Sequence, residues 1–299
     1  MIVILGATGN VGGKITAMLA EKNVQLRVIS RSLDHFRSLA GKKVVPFVGD
    51  IGNTEFLSRA FAGADTVFTM IPPNPKVPDF LRYADMIGDS IARALVIAGV
   101  KHVVNLSSVG ADLADAGTGP IKGLHRMEER LNRIKGLNVV HLRAGYFMEN
   151  LLMNIDLIRS KGVAGSAVRG DIRIPMIATK DIAAFAAERL LKRDFIGSSV
   201  RYLLGEGDLT LTEAAGVIGS RIAKPGLPYI AFPYEDAEKG MVAAGLSPDM
   251  SRTYIEMAHA FNEGRITAPE RSVLNTTPTS IEAFSNEVFA PAYTHKAAA

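Results

Sequence analysis

The sequence runs from Ile2-Val-Ile-Leu5 straight into Gly6-Ala-Thr-Gly9-Asn-Val-Gly12-Gly13. The first stretch, apolar and mostly β-branched, predicts a buried strand, and the amphipathic run Val11–Glu21 predicts a helix. Glycines between them let the backbone bend sharply and approach a pyrophosphate, which is favoured at the positive end of a helix. A strand, a glycine turn and a helix in that order form the phosphate-binding corner of dinucleotide folds. The glycines stand at 6, 9 and 12, a GxxGxxG spacing rather than GxGxxG. Gly6, Thr8, Gly9, Asn10, Val11 and Gly12 are therefore the first candidate cofactor-binding residues. A tight strand-to-helix turn with no ligand is the alternative that the spacing leaves open.

Val24–Ile29 predicts a second strand, ending in Ser30-Arg31-Ser32. Dinucleotide folds commonly place a carboxylate about 20 residues beyond the glycines to hold the ribose of NAD. No acidic residue follows here until Asp34, and Arg31 stands ready to pair with the 2′-phosphate of NADP. NADP(H) is the preferred cofactor on this reading, with NAD(H) a lesser possibility. Val44–Val48 is a third strand, followed by Gly49-Asp50-Ile51, and Thr66–Met70 a fourth, which Ile71-Pro72-Pro73-Asn74-Pro75 breaks off. Proline cannot continue a central strand, and ligands of such sheets lie outside the carboxyl ends of the strands, so Ile71 and Pro72 join the candidates. A helix is predicted over 79–98 and stopped by Gly99; strands over 102–106 and 137–142 open onto Ser107-Ser108 and onto Arg143-Ala144-Gly145-Tyr146-Phe147. The alternation predicts an α/β fold: a doubly wound parallel Rossmann sheet with a smaller, mainly helical C-terminal lobe.

Residues 1–150 form the predicted NAD(P)-binding Rossmann domain. Residues 177–205, with a helix over 179–191 and a strand over 200–204, are expected to return to it. The substrate-side lobe then comprises 151–176 and 206–299, with helices over 235–244 and 248–263. Thr210-x-x-Glu213 and Thr279-x-x-Glu282 are capping-box patterns for two further helices, and His295 to Ala299 is expected to be a disordered tail.

Composition narrows the class. The 299 residues contain no cysteine, which fits a reducing compartment, and carry a net charge of +4 without a basic, aromatic-interleaved stripe. Lys42-Lys43 and Lys192-Arg193 are isolated adjacent basic pairs. Nucleic-acid binding as the main activity is not supported, no apolar run reaches the ~18 residues that span a bilayer, and no leader is expected ahead of the first strand. No HExxH or acidic ligand cluster appears, so no metal is expected. The expected setting is the cytoplasm and the expected partner a small molecule.

The glycine turn, the Ser107-Ser108 strand end, Gly119-Pro-Ile-Lys-Gly-Leu-His125-Arg-Met-Glu-Glu129, Leu142-Arg-Ala-Gly-Tyr-Phe-Met-Glu-Asn150 and the segment 277–284 together resemble the NmrA-like family of atypical short-chain dehydrogenase/reductases. The likeness covers nearly the whole chain. Ala144 departs from it, since many relatives carry proline there. The resemblance implies a Rossmann domain for NADP(H) or NAD(H), with a small lobe closing a cleft over the nicotinamide, Asp50 at the adenine edge and Ile51 on the ring. Asp50 as a plain turn cap is the competing reading. Typical superfamily members use Tyr-x-x-x-Lys on the helix after the fifth strand. Aligned on Glu129, the lysine position falls on His125 and the tyrosine position on Ile121, which carries no proton. His125, Tyr146 and Ser107 are the remaining catalytic candidates, and Lys122 reads as a solvated helix lysine. The family implies either an NADP(H)-dependent reductase of a quinone-like, azo or conjugated acceptor, or a non-catalytic sensor of the cofactor that controls a protein partner. An isomerase or lyase using the same cleft is a weaker third option.

Overall fold

The computed structural model describes residues 1–31, 43–114 and 117–295. Asp34, Ser32 and Lys42, and the tail beyond His295, lie outside the described residues. The first half alternates strand and helix: β1 (Ile2–Ile4), α1 (Gly12–Glu21), β2 (Leu26–Ser30), β3 (Val44–Val48), α2 (Thr54–Phe61), β4 (Thr66–Thr69), α3 (Phe80–Ala98), β5 (His102–Ser108), α4 (Ile121–Asn132) and β6 (Asn138–Ala144). Then come β7 (Tyr146–Phe147), a 3₁₀ stretch over Met148–Asn154, α5 (Ile155–Lys161), β8 (Ala164–Ser166), β9 (Ile174–Ile177), α6 (Thr179–Lys192) and β10 (Ser198–Leu203). The chain closes with β11 (Asp208–Leu209), α7 (Leu211–Arg221), β12 (Tyr229–Ala231), α8 (Tyr234–Ala243), α9 (Pro248–Asn262), α10 (Ile281–Phe284), a π-helical turn at Ser285–Phe289 and α11 (Ala290–Thr294).

Seven strands form one sheet in the order β10-β6-β5-β4-β1-β2-β3, parallel throughout. β1 is an inner strand, hydrogen-bonded to β2 on one side and β4 on the other. The chain runs outward from β1 through β2 to β3, then restarts on the opposite side with β4, so the order reverses between β1 and β4. That reversal is where an open α/β sheet offers its ligand crevice, at the carboxyl ends of the strands. One face of the sheet packs on α1 and α6 through Ile15, Leu19, Ile182 and Ala186; the other packs on α2, α3 and α4 through Leu57, Phe61, Ile87, Ile91 and Leu131. The sheet is thus covered on both faces, as a parallel sheet requires.

Local signals placed most boundaries. Asp79 caps α3 by accepting from the Arg82 N–H at 2.9 Å, and Gly99 ends it in the left-handed conformation at φ +67°. Thr210 and Glu213 form the expected reciprocal box at the start of α7. The second box is corrected: Ser280 caps α10, because Thr279 gives both its N–H and its hydroxyl to the buried Asp181 at 2.9 and 2.6 Å. The C-terminal part is less exclusively helical than its sequence suggests. It includes a three-stranded sheet, β11-β9-β7, and a two-stranded one, β12-β8. Its core is separate, built from Met148, Leu151, Ile158, Met176, Leu211, Ile218, Phe284 and Phe289.

Between β4, β5 and β6 the aligned residues Thr69, Asn105 and His141 are buried and polar. The Thr69 hydroxyl donates to Asn105 Oδ1 (3.0 Å), Asn105 Nδ2 donates to His141 Nδ1 (3.1 Å), and His141 Nε2 donates to Asn132 Oδ1 (2.9 Å). That chain fixes the imidazole as the neutral Nε2–H tautomer, and burial pushes its pKa down to about 4.

Candidate functional site at the sheet's switch point

The glycine turn depends on a left-handed residue at its start and on a missing side chain at Gly12. Gly6 adopts φ +64°. A Cβ on Gly12 would stand 2.3 Å from the Gly6 carbonyl oxygen and 3.0 Å from that of Leu5, so only glycine lets α1 pack this closely on the end of β1. The turn is stitched by Gly9 N–H to Gly6 O and Gly13 N–H to Gly9 O, both 2.9 Å. Thr8, Gly9 and Asn10 are exposed, while Val11 and Gly12 are buried. The N–H groups of Val11 and Gly12 have no acceptor among the described residues, and α1 has neither a side-chain cap nor an acidic residue in its first turn. Free N–H donors at a helix N-terminus, backed by glycines a Cβ would block, fit a pyrophosphate.

Arg31 is exposed just past β2, and Asp50 follows β3. Asp50 Oδ1 accepts from the Gly52 N–H at 2.9 Å, so the turn-capping role is realised, while the residue as a whole stays exposed beside half-buried Ile51. Tyr83 of α3 lies within electrostatic reach of both Arg31 and Asp50. Burial raises its hydroxyl above the ordinary tyrosine value; the Arg31 guanidinium opposes that rise and Asp50 adds to it. The sequence reading missed Tyr83, whose signal was its place one helical turn beyond the Asp79 cap. Across β1, Ile71 is buried and Pro72 half-buried at the end of β4. The turn, Arg31, Asp50, Ile51, Ile71 and Pro72 all lie at the carboxyl ends of β1 to β4. A surface cavity of about 310 Å³ lined by Ile2, Gln25, Asp65, Leu191 and Arg193 lies at the opposite ends of these strands and holds none of them.

The catalytic candidates separate. His125 lies on α4 with Nδ1 2.8 Å from the Ala111 carbonyl oxygen; the carbonyl accepts, so Nδ1 carries a proton. Nε2 sits 3.8 Å from Glu129 Oε1. Ile121 is buried in a small apolar cluster with Val109, Leu204 and Ala260. Tyr146, in β7, has no hydrogen-bond partner among the described residues, and burial raises its hydroxyl far above the ordinary range, with Tyr229 and Tyr254 adding to the rise. It is therefore a protonated donor at neutral pH. Ser107 is turned to other use: its hydroxyl donates to Glu128 Oε1 at 2.5 Å. Glu128 is buried and forked by Arg143, at 3.0 Å from Nε and 2.7 Å from the second nitrogen. Lys122 is not a free surface lysine, since its Nζ lies 2.5 Å from Glu256 of α9. Among the described residues no group of three or more His, Asp or Glu is placed to hold a metal, and no helix is long and apolar enough to cross a membrane.

A glycine-rich βα turn at the switch point of a doubly wound parallel sheet defines a Rossmann-type α/β protein. Residues 1–285 match the NmrA-like family, and the chain belongs to it. An NAD(P)H azoreductase of Xenophilus azovorans is 28% identical over 283 residues, 93% of this chain and 92% of that protein. The structure of an NADPH-dependent quinone oxidoreductase from Escherichia coli, complexed with NADPH, superposes with a TM-score of 0.81 at 22% identity, covering 97% of this chain and 100% of the other. A Citrobacter sp. triphenylmethane reductase complexed with NADP(H) superposes at 0.78 and 19% identity, covering 97% and 100%. The last two share the fold.

Proposed function

We propose that this chain is an NADP(H)-dependent oxidoreductase that reduces a small quinone-like, azo or conjugated acceptor. The observation that carries the cofactor assignment is the pair of free N–H groups at Val11 and Gly12, behind a turn that only glycine can form. Gly6, Thr8, Gly9, Asn10, Val11 and Gly12 hold the pyrophosphate in this reading. Arg31 takes the 2′-phosphate, Asp50 and Ile51 the adenine, and Ile71 and Pro72 the wall across the crevice. Residues 1–150 and 177–205 carry the cofactor, while 151–176 and 206–299 supply the acceptor side. The azoreductase relative supports the reaction class.

When bound, the reduced nicotinamide supplies a hydride to the acceptor. The chain's own part is to orient the partners, exclude water and deliver a proton. With buried Ile121 at the relay position, an alcohol–ketone relay through that residue has no proton to move. A quinone or azo acceptor needs less help, because hydride addition leaves a stabilised anion. Tyr146, protonated and without a partner among the described residues, and His125, through Nε2 when the ring carries both protons, are the proton donors in this reading. Ser107, bound to Glu128, supports the strand end.

The test is a screen of the purified chain with NADPH and with NADH against quinones, azo dyes and enones, in air and without oxygen. Turnover well above that of a Gly9→Trp variant supports the reductase. Tight NADPH binding with no turnover of any acceptor would replace it by the cofactor-sensing reading, which the apolar residue at the relay position favours.

A further inference from the structure

Lys14 lies in the first turn of α1, beside the glycine turn. Its ammonium donates to the Asn10 carbonyl at 3.0 Å and to the Thr179 hydroxyl at 2.8 Å, and it stands 3.5 Å from Glu149 Oε1. Two of the three N–H bonds of the ammonium are thus spent on the protein, and the Glu149 carboxylate holds the charge beside them as an ion pair. Glu149, whose side chain is 4% exposed, comes from the 3₁₀ stretch after β7. Its two oxygens accept from the Thr179 N–H at 3.1 and 3.0 Å, and Oε1 also accepts from the Thr179 hydroxyl. Thr179 is the first residue of α6, the helix packed against α1. The carboxylate therefore caps one helix while its counter-ion grips the loop that starts another.

The grip has a directional consequence. In a planar trans peptide the carbonyl and the following N–H point opposite ways. Holding the Asn10 carbonyl against Lys14 turns the Val11 N–H away from it, and that N–H has no acceptor among the described residues. We propose that Lys14 and Glu149 are positioning residues that fix the Asn10–Val11 peptide with its N–H presented to the cofactor's phosphate. This rests on the proposed NADP(H) binding and adds residues that none of the glycine-turn contacts includes. Glu149 holds Lys14, Lys14 holds Asn10, and neither touches the cofactor. The pair also joins the phosphate turn to two segments that flank the C-terminal lobe, at 148–154 and at the start of α6.

A competing role for Lys14 is that of a bare positive charge drawing phosphate in. The two differ in what Glu149 does. A bare charge would act more strongly once the neighbouring carboxylate is neutralised, whereas a positioning ammonium would lose its anchor.

The experiment titrates the full chain and its variants with NADPH, following the dinucleotide's own fluorescence, and in parallel measures melting temperature and amide exchange over residues 8–12 without ligand. Lys14→Met and Glu149→Gln should each weaken NADPH by about tenfold, the scale of one charge-assisted hydrogen bond. The double variant should be about as weak as Lys14→Met alone, because the two act in series. Lys14→Arg, which keeps a charged donor, should recover to within about threefold. Gly9 exchange, protected by its bond to the Gly6 carbonyl, should quicken in Lys14→Met while the melting temperature stays near that of wild type. NADPH affinity unchanged in Lys14→Met overturns the inference, as does tighter binding by Glu149→Gln, or a loss of affinity that tracks only a fall in melting temperature. A wild-type chain that binds neither NADPH nor NADH overturns the proposed function and the inference together; wild-type binding matched by Lys14→Met overturns the inference alone.

Discussion

Replacing Gly12 by alanine is a sharp test of the corner on which the fold turns. The new Cβ would stand 2.3 Å from the Gly6 carbonyl oxygen, 2.8 Å from its carbon and 3.0 Å from the Leu5 oxygen. Each neighbour is backbone, two of the three belong to the turn itself, and none can swing aside as a side chain can. Relief requires α1 to move off the end of β1 by about 1 Å, an overpacking that costs about 1–3 kcal/mol. Alanine's better helix propensity offsets about 1 kcal/mol, leaving a net loss of up to about 2 kcal/mol. In a chain of this length that lowers the melting temperature by a few degrees. Gly13→Ala is the internal control: its Cβ would meet the Ala7 oxygen at 3.5 Å, an ordinary contact, so the propensity gain makes it neutral or slightly stabilising. Urea denaturation of both variants, with NADPH titration alongside, measures the difference. Equal midpoints for Gly12→Ala and Gly13→Ala would refute the close-packing account.

Arg31→Ala should weaken NADPH by about 10- to 100-fold, the range of one hydrogen bond to a charged group, and leave NADH nearly unchanged; equal losses would assign Arg31 to the fold. If His125 supplies the proton, His125→Ala should slow turnover by about 100-fold or more. An unaltered rate would leave Tyr146 or water as the donor. His141, held neutral by burial at a pKa of about 4, should make stability depend on acid. Its contribution is complete above the unfolded value of about 6.5 and is lost as pH falls from there toward about 4, since only the unfolded imidazole gains a proton in that window. The difference is about 2–3 kcal/mol between pH 7 and pH 4.5. His141→Gln should lose that part of the slope in urea melts, and an unchanged slope would refute it.

What the sequence disclosed was what neighbours in the chain decide. The glycine turn and the Gly99 stop each work through residues within a few positions, so pattern and chemistry agreed with the structure. The misjudged residues are claimed by distant partners. Thr279 matched a capping box, yet Asp181 of α6, nearly a hundred residues earlier, takes its donors and shifts the cap to Ser280. Ser107 looked like a strand-end ligand residue until α4 brought Glu128 beneath it, and Lys122 looked solvated until α9 brought Glu256 across. β7, β8 and β11 span two or three residues each, too short to show an alternation, so the small sheets left no periodic trace.

The buried chain Thr69–Asn105–His141 bears on how the sheet avoids assembling wrongly. β5 and β6 read His-Val-Val-Asn-Leu-Ser-Ser and Asn-Val-Val-His-Leu-Arg-Ala, alike in their apolar placement. A slip of one residue would exchange the side chains of two faces that pack on different helices, and both would have to repack. A slip of two would keep every face correct, and hydrophobic burial alone would scarcely resist it. The amide and imidazole do resist it, since misaligned they would stand buried without partners, at about 1–3 kcal/mol for each orphaned group. In this sheet, polar residues that add little net stability select one alignment from among several that the apolar residues would accept.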